Sequence, residues 1–244
     1  MRLWHTKTVW EKLAREDAMW AVLTDPAKDR NRWQVDEFFA TGRATVDADM
    51  AYLSTQLPTL AKRDALDFGC GVGRLSQALA PHFDRVTGLD VAAAMIEQAN
   101  QHNRHGERVT YVHNPAGHLR QFADHSFDFV YSVITLQHIP ASLQRGYLRE
   151  FLRVCRPGGA VFFQLVTTEP DKRWRFSWYP PTMWMRIRRY FRRAATIDPT
   201  MTMNAVPRAE ASNLLEQAGG RIVDIQPYGA AGELESWSYL VTKD

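Results

Sequence analysis

"LDFGCGVGRL", residues 66–75, is an apolar run that opens into three alternating glycines, Gly69, Gly71 and Gly73. Glycine loses more backbone freedom on folding than any other residue, so three at alternate positions need a backbone reason. A short strand, a glycine turn and a helix N-terminus together make a nucleotide-binding device. Free N–H groups and the helix dipole face the ligand, and the missing side chains let it approach. Arg74 and Leu75 occupy the two places after Gly73, so the spacing departs from the GxGxxG dinucleotide fingerprint. No Gly-Lys-Ser/Thr follows, which excludes a P-loop. A purely structural turn is the plain alternative. The next acid bears on the choice: Asp90 ends "RVTGLD", about twenty residues after the first glycine, where a carboxylate can accept from both hydroxyls of an adenosine ribose. It can equally cap the helix that begins after it.

Outward from this stretch the pattern alternates. "ALDFG" reads as a strand and "RLSQALAPHF" as a helix; "RVTGLD" is a strand and "AAAMIEQANQH" a helix. "RVTYVHN" is a strand, "FDFVYSVITL" a long buried one, and "SLQRGYLREFLRVC" an amphipathic helix stopped by "RPGG". "AVFFQLV" is the next strand. Alternation of this kind predicts a parallel sheet with helices on both faces. Residues 168–206 break it with Trp, Arg, Tyr and Pro, after which "RAEASNLLEQAGG" predicts a helix and "RIVDIQP" and "SWSYLVTK" two more strands.

Asp67-x-Gly69-x-Gly71-x-Gly73, then Asp90, "FDFVYSVITLQHIP" and "RVCRPGGAVFF" in that order resemble a class I S-adenosylmethionine-dependent methyltransferase of the small-molecule type. The resemblance covers residues 60–167 strongly and 207–242 more loosely. It implies a Rossmann-like α/β fold with strand order 3-2-1-4-5-7-6, strand 7 antiparallel, and S-adenosylmethionine as cofactor, left as S-adenosylhomocysteine. The expected organisation is a helical extension over 1–60, a cofactor-binding domain over 61–167 and 207–244, and a lid insertion over 168–206. By the resemblance, Gly69, Gly71 and Gly73 pass beneath the methionine part of the cofactor, with Asp67 as the leading acid. Asp90 takes the ribose, Val91 packs on the adenine and Met95 assists from the next turn. Asn114 stands where the family commonly has an Asp facing the adenine amino group; its carbonyl oxygen can accept but carries no charge. Ser132 and Val133 end strand 4 beside the cofactor's amino-acid portion; core packing is the other reading of Val133. Methyl transfer from a sulfonium mainly requires alignment and desolvation, so a base matters only when the acceptor must lose a proton. His138, in "LQHIP", follows strand 4 at the ligand-bearing edge of the sheet and is the candidate base, or else a packing residue there.

The chain has 244 residues, 45% hydrophobic and 23% charged, as in a soluble globular protein of one elaborated domain or two small ones. Two cysteines make no disulfide framework, and neither a signal peptide nor a membrane-spanning run is visible, so a reducing, cytoplasmic setting is expected. No metal-ligand spacing and no dedicated nucleic-acid module appear. The net charge of +3 is unevenly spread: residues 171–193 carry +7, leaving −4 for the rest. Within them Met183, Trp184, Ile187, Tyr190 and Phe191 recur at helical spacing, opposite Arg186, Arg189, Arg192 and Arg193. This basic, aromatic insertion reads as a lid over a small anionic or aromatic acceptor, with Trp178, Trp184, Arg186 and Arg189 as contacts. The alternatives are a peripheral membrane contact through 183–193, RNA, or structural packing, here or against another subunit. In the N-terminal segment Trp33, Phe38 and Phe39 precede Gly42; the resemblance implies that such an extension closes over the cofactor, as an aromatic lid with Gly42 as a hinge and Trp33 and Phe39 facing the acceptor, and core packing is the other reading of each ring. A lipid or RNA acceptor, or a cofactor-binding regulator without turnover, are the competing functions. Oligomeric state is not legible.

Overall fold

The computed structural model describes residues 3–167, 203–228 and 236–244. Its centre is a seven-stranded sheet of order β3-β2-β1-β4-β5-β7-β6. The strands are β1 (Asp64–Phe68), β2 (Arg85–Asp90), β3 (Val109–His113), β4 (Phe127–Ser132), β5 (Cys155–Val166), β6 (Gly220–Pro227) and β7 (Ser236–Lys243). The first five pair in parallel, whereas β7 runs antiparallel to both β5 and β6. The helices are α1 (Leu3–Val22), α2 (Val35–Gln56), α3 (Arg74–Leu79), α4 (Ala93–Gln101), α5 (Ala141–Val154) and α6 (Arg208–Gln217). This is the order and polarity that the resemblance implies.

Each face of the sheet buries its own set of helices. On one, Phe68, Val130, Val161, Phe163 and Tyr239 pack against Tyr147, Leu148 and Phe151 of α5 and Leu215 of α6. On the other, Ala65, Phe129, Tyr131, Phe162 and Leu240 meet Val46, Met50 and Leu53 of α2 and Leu75 and Leu79 of α3. β4 is buried at every position, which is why it is apolar or aromatic on both faces rather than alternating, save for Asp128, which is paired with Arg63 and Arg156, and the closing Ser132. A third cluster joins α1, the start of α2 and α4 through Leu13, Ala14, Phe38, Phe39, Val72 and Met95.

Three sequence expectations are corrected. The strand expected to run through "FDFVYSVITL" stops at Ser132: the Ser132 hydroxyl donates to the Phe68 carbonyl, Ile134 takes φ +59°, and Leu136–His138 form a 3₁₀ turn. The chain thereby turns over the sheet edge instead of continuing along it. β5 begins earlier than "AVFFQLV", at Cys155, directly after α5. Gly42 is not a hinge. It lies inside α2, and an ideal Cβ there would stand 2.4 Å from the Arg74 carbonyl oxygen, so this glycine lets α2 and α3 touch.

Candidate functional site

The C-terminal ends of β1, β2 and β4 open onto a cleft. Open α/β sheets bind ligands at this edge, where strand order reverses on either side of β1. The glycine loop forms its floor and is strapped to β2. Gly69 N–H donates to the Leu89 carbonyl at 2.7 Å, Cys70 N–H donates to the same oxygen at 3.0 Å, and Gly73 N–H closes the turn on the Cys70 carbonyl at 2.9 Å. Gly69 and Gly71 have φ of +79° and +53°, a left-handed backbone that a side chain resists. Their missing side chains also admit the protein's own atoms: an ideal Cβ at Gly69 would lie 2.1 Å from Thr135 Cγ2, and one at Gly71 2.6 Å from Val22 Cγ2.

Asp90 joins loop and strand. One carboxylate oxygen accepts from Gly71 N–H at 3.0 Å and the other from Ala92 N–H at 2.8 Å. Each oxygen keeps a second lone pair, so the pair of hydroxyls on a ribose still finds acceptors. Burial pushes the Asp90 carboxyl above its ordinary pKa, while the backbone N–H groups of Ala92, Gly71 and Val91 pull the other way. Asp90 therefore both fixes the loop and faces the cleft.

Of the residues singled out from sequence, Gly69, Gly71, Asp90, Val91, Met95, Asn114, Val133 and His138 line one cleft. Asp67, Gly73 and Ser132 stand behind that wall. Asp67 is buried and accepts from the Ser76 hydroxyl at 2.6 Å, and burial raises its pKa to about 6. Gly73 backs onto Tyr111, whose hydroxyl oxygen lies 2.2 Å from where a Cβ would be. Asn114 is buried with its side chain engaged locally: its carbonyl oxygen accepts from Ala116 N–H at 3.1 Å and its amide donates to the His118 carbonyl at 2.9 Å. Trp33 and Phe39 do not reach the cleft. Trp33 donates to the Leu23 carbonyl and packs on Phe38, while Phe39 sits against Phe38 and His102 in the α1–α2–α4 cluster. Packing takes both rings: Phe39, on α2, and Trp33, just before α2, join the α1–α4 cluster rather than the sheet edge. Trp178, Trp184, Arg186 and Arg189 lie outside the described residues.

The aromatic wall comes instead from α1. Trp10 lines the cleft and meets the His138 ring edge-on at 5.2 Å; Thr6 and Val22 line it too. Glu11 accepts from Ala94 N–H and Gln98 donates to the Ala14 carbonyl, so α1 is tied to α4. Thr135, Ile139 and Tyr147 complete the opposite side. No local pattern distinguishes Trp10 from the other tryptophans; its role depends on where α1 docks. Among the described residues, no group of three or more His, Cys, Asp or Glu could hold a metal ion, and no helix is long and apolar enough to cross a membrane.

A glycine loop bonded to a strand-ending acid, in a sheet whose seventh strand alone is reversed, meets a family model here: residues 66–163 match the model described as a methyltransferase domain. Over these residues the chain resembles a methyltransferase domain. Among curated proteins, the ubiquinone biosynthesis O-methyltransferase of Pseudomonas fluorescens is 35% identical over 112 residues, which are 46% of this chain and 47% of that protein. That of Nitrosospira multiformis is 32% identical over 112 residues, 46% of each. The chain thus matches about half the length of these curated relatives. Among solved structures, magnesium protoporphyrin IX methyltransferase from Synechocystis PCC 6803, with bound S-adenosylhomocysteine, superposes with a TM-score of 0.64 at 16% identity, over 98% of this chain and 100% of that one. An N-methyltransferase from Bradyrhizobium japonicum WM9, in complex with the same product, has a TM-score of 0.61 at 16% identity, over 98% of each chain. These likenesses bear on the fold; the methyltransferase domain itself rests on the sequence match through residues 66–163.

Proposed function

We propose that this protein transfers a methyl group from S-adenosylmethionine to an oxygen or nitrogen of a small-molecule acceptor. The observation that carries the reading is the meeting of the glycine loop, Asp90 and His138 on one cleft. The residues fit the cofactor on their own chemistry. Asp90 offers two carboxylate oxygens with lone pairs to spare, Val91 and Met95 offer apolar contact for a base, and the loop presents backbone where side chains are absent. When bound, the cofactor supplies a methyl group already made electrophilic by its sulfonium. The chain's part is then to bind, align and exclude water. Trp10, Phe68, Ile139 and Tyr147 give the cleft apolar walls, and aromatic faces attract a sulfonium. His138, on the same wall, is the group to take a proton from a hydroxyl acceptor.

Likeness to curated proteins named as O-methyltransferases supports an oxygen acceptor over half their length. The uneven charge supports a preference for anionic acceptors: we assign residues 168–206, with their +7 core, to covering the acceptor, and residues 1–60 to closing the cofactor side of the cleft. The test is transfer of a labelled methyl group from S-adenosylmethionine to a panel of phenols, carboxylates and amines, beside calorimetry with S-adenosylhomocysteine. Binding of the product with transfer to at least one acceptor is expected. A protein that binds no S-adenosylhomocysteine would overturn the proposal, and binding without transfer to any acceptor would favour a cofactor-binding regulator.

A further inference from the structure

Ile134 has φ +59°, in the left-handed region. Among the described residues, Arg30, Asn31 and His125 are the others besides glycine with positive φ, and Ile134 alone of the four is β-branched. A branched Cβ crowds the backbone there, so such a residue stays only where its surroundings hold it. Ile134 lies between the end of β4 and the 3₁₀ turn that carries His138, and it lines the cleft with Val133, Thr135 and His138.

Gln164 supplies the hold. Its side-chain carbonyl accepts from the Ile134 N–H at 3.0 Å. Gln164 is 3% exposed and stands in β5 between Phe163 and Leu165 of the core. An amide is costly to bury unless its polar ends are engaged. Here the NH2 end donates to the Ser236 hydroxyl on β7, and that hydroxyl donates in turn to the Leu165 carbonyl at 3.5 Å. The order of donors fixes which way the amide points, with its oxygen toward Ile134. Gln164 itself does not line the cleft.

The turn reaches the cleft through Thr135. The Thr135 hydroxyl lies 3.3 Å from the Gly69 carbonyl oxygen and 3.2 Å from that of Val133, and the Thr135 carbonyl accepts from the His138 N–H at 3.0 Å. Thr135 Cγ2 fills the space that a side chain at Gly69 would need. The left-handed step at Ile134 therefore decides how closely Thr135 meets the glycine loop and where the His138 ring stands against Trp10.

We propose that Gln164 is a positioning residue: through its hydrogen bond to Ile134 it holds the strained turn that sets Thr135 and His138 against the glycine loop. The inference rests on the proposed function in naming His138 as the group that takes a proton, and the geometry it assigns can be read without turnover.

The probe is the imidazole resonance of His138 in protein carrying isotope-labelled histidine, assigned by its loss in His138→Ala. Gln164→Met keeps length and bulk and removes the acceptor. Ile134 should then leave the left-handed region, and the His138 resonance should move as the ring shifts against Trp10. The resonance of His82, which pairs with Asp47 and does not line the cleft, should stay in place. Glycine takes positive φ without strain, so adding Ile134→Gly to Gln164→Met should return the His138 resonance to its position in Ile134→Gly alone. On any acceptor found by labelled methyl transfer, Gln164→Met should lower kcat by about 10- to 100-fold, and by less than about threefold when Ile134→Gly is already present. Should Gln164→Met fail to fold, Ser236→Ala removes the partner that orients the amide and should move the His138 resonance while that of His82 stays. A folded Gln164→Met with the His138 resonance unmoved overturns the inference, as does a loss of kcat that Ile134→Gly leaves undiminished. A wild type that methylates no acceptor would instead sink the proposed function, and the resonance would still decide Gln164.

Discussion

Replacing Asp90 by Ala tests the site most directly, because the structure gives this carboxylate two separable jobs. It accepts Gly71 N–H and Ala92 N–H, and it faces the cleft. Hydrogen bonds to a charged group are worth about 1.5–3 kcal/mol, so losing the ribose acceptor should weaken S-adenosylhomocysteine binding roughly 10- to 150-fold. The same change strands two backbone donors at the cleft floor. That should cost about 1–3 kcal/mol of stability, which for a chain of this size lowers Tm by roughly 2–10 °C. Calorimetry and thermal unfolding read the two effects separately. A 2′,3′-dideoxy analogue of S-adenosylhomocysteine divides the binding loss further. Wild-type protein should discriminate strongly against the analogue, and Asp90→Ala should not. If the variant weakens binding of both ligands equally, Asp90 acts only by holding the loop. Wild-type affinity for S-adenosylhomocysteine in Asp90→Ala would refute the site.

Asp67 should make stability depend on pH. Burial raises its carboxyl to about 6, so the folded state holds the proton to higher pH than the unfolded chain, and stability should fall as pH rises from about 4 to about 6. Asp67→Asn should therefore be more stable than wild type at pH 8 by up to about 3 kcal/mol and nearly equal to it at pH 4, read from urea midpoints; an equal difference at both pH values would contradict the argument. Gly42→Ala should destabilise by about 1–3 kcal/mol despite alanine's better helix propensity, because its Cβ meets the Arg74 backbone, and a gain in Tm would show that α2 and α3 do not touch there. His138→Ala should lower kcat by roughly 10²–10⁴-fold on a hydroxyl acceptor while S-adenosylhomocysteine affinity changes little; a loss confined to binding would make His138 a pocket residue.

Much of this molecule is legible along the chain. β2 and β7 coincide with "RVTGLD" and "SWSYLVTK", and β4 is apolar at its core because both its faces are covered. Gly69, Gly71 and Asp90 could be found because their chemistry is local: a turn needing a left-handed backbone and an acid at the end of the next strand sit at a spacing that the strand and helix lengths dictate. Other features depend on which helices meet. Trp10, Trp33 and Phe39 are all aromatic residues among charges, yet of the three only Trp10 reaches the cleft, since α1 docks across α4 while the other two rings are taken into the packing between α1, α2 and α4. Gly42 looks like a hinge in one dimension and is a contact point in three, because the atom it makes room for is 32 residues away in Arg74. Arg74 itself follows the glycine motif as an ordinary surface-type residue. That it is buried, with donors to spare, is decided by α2 closing over it: pattern and spacing report which backbone states a segment can take, whereas burial and partnership of a charge are properties of segments far apart in the chain.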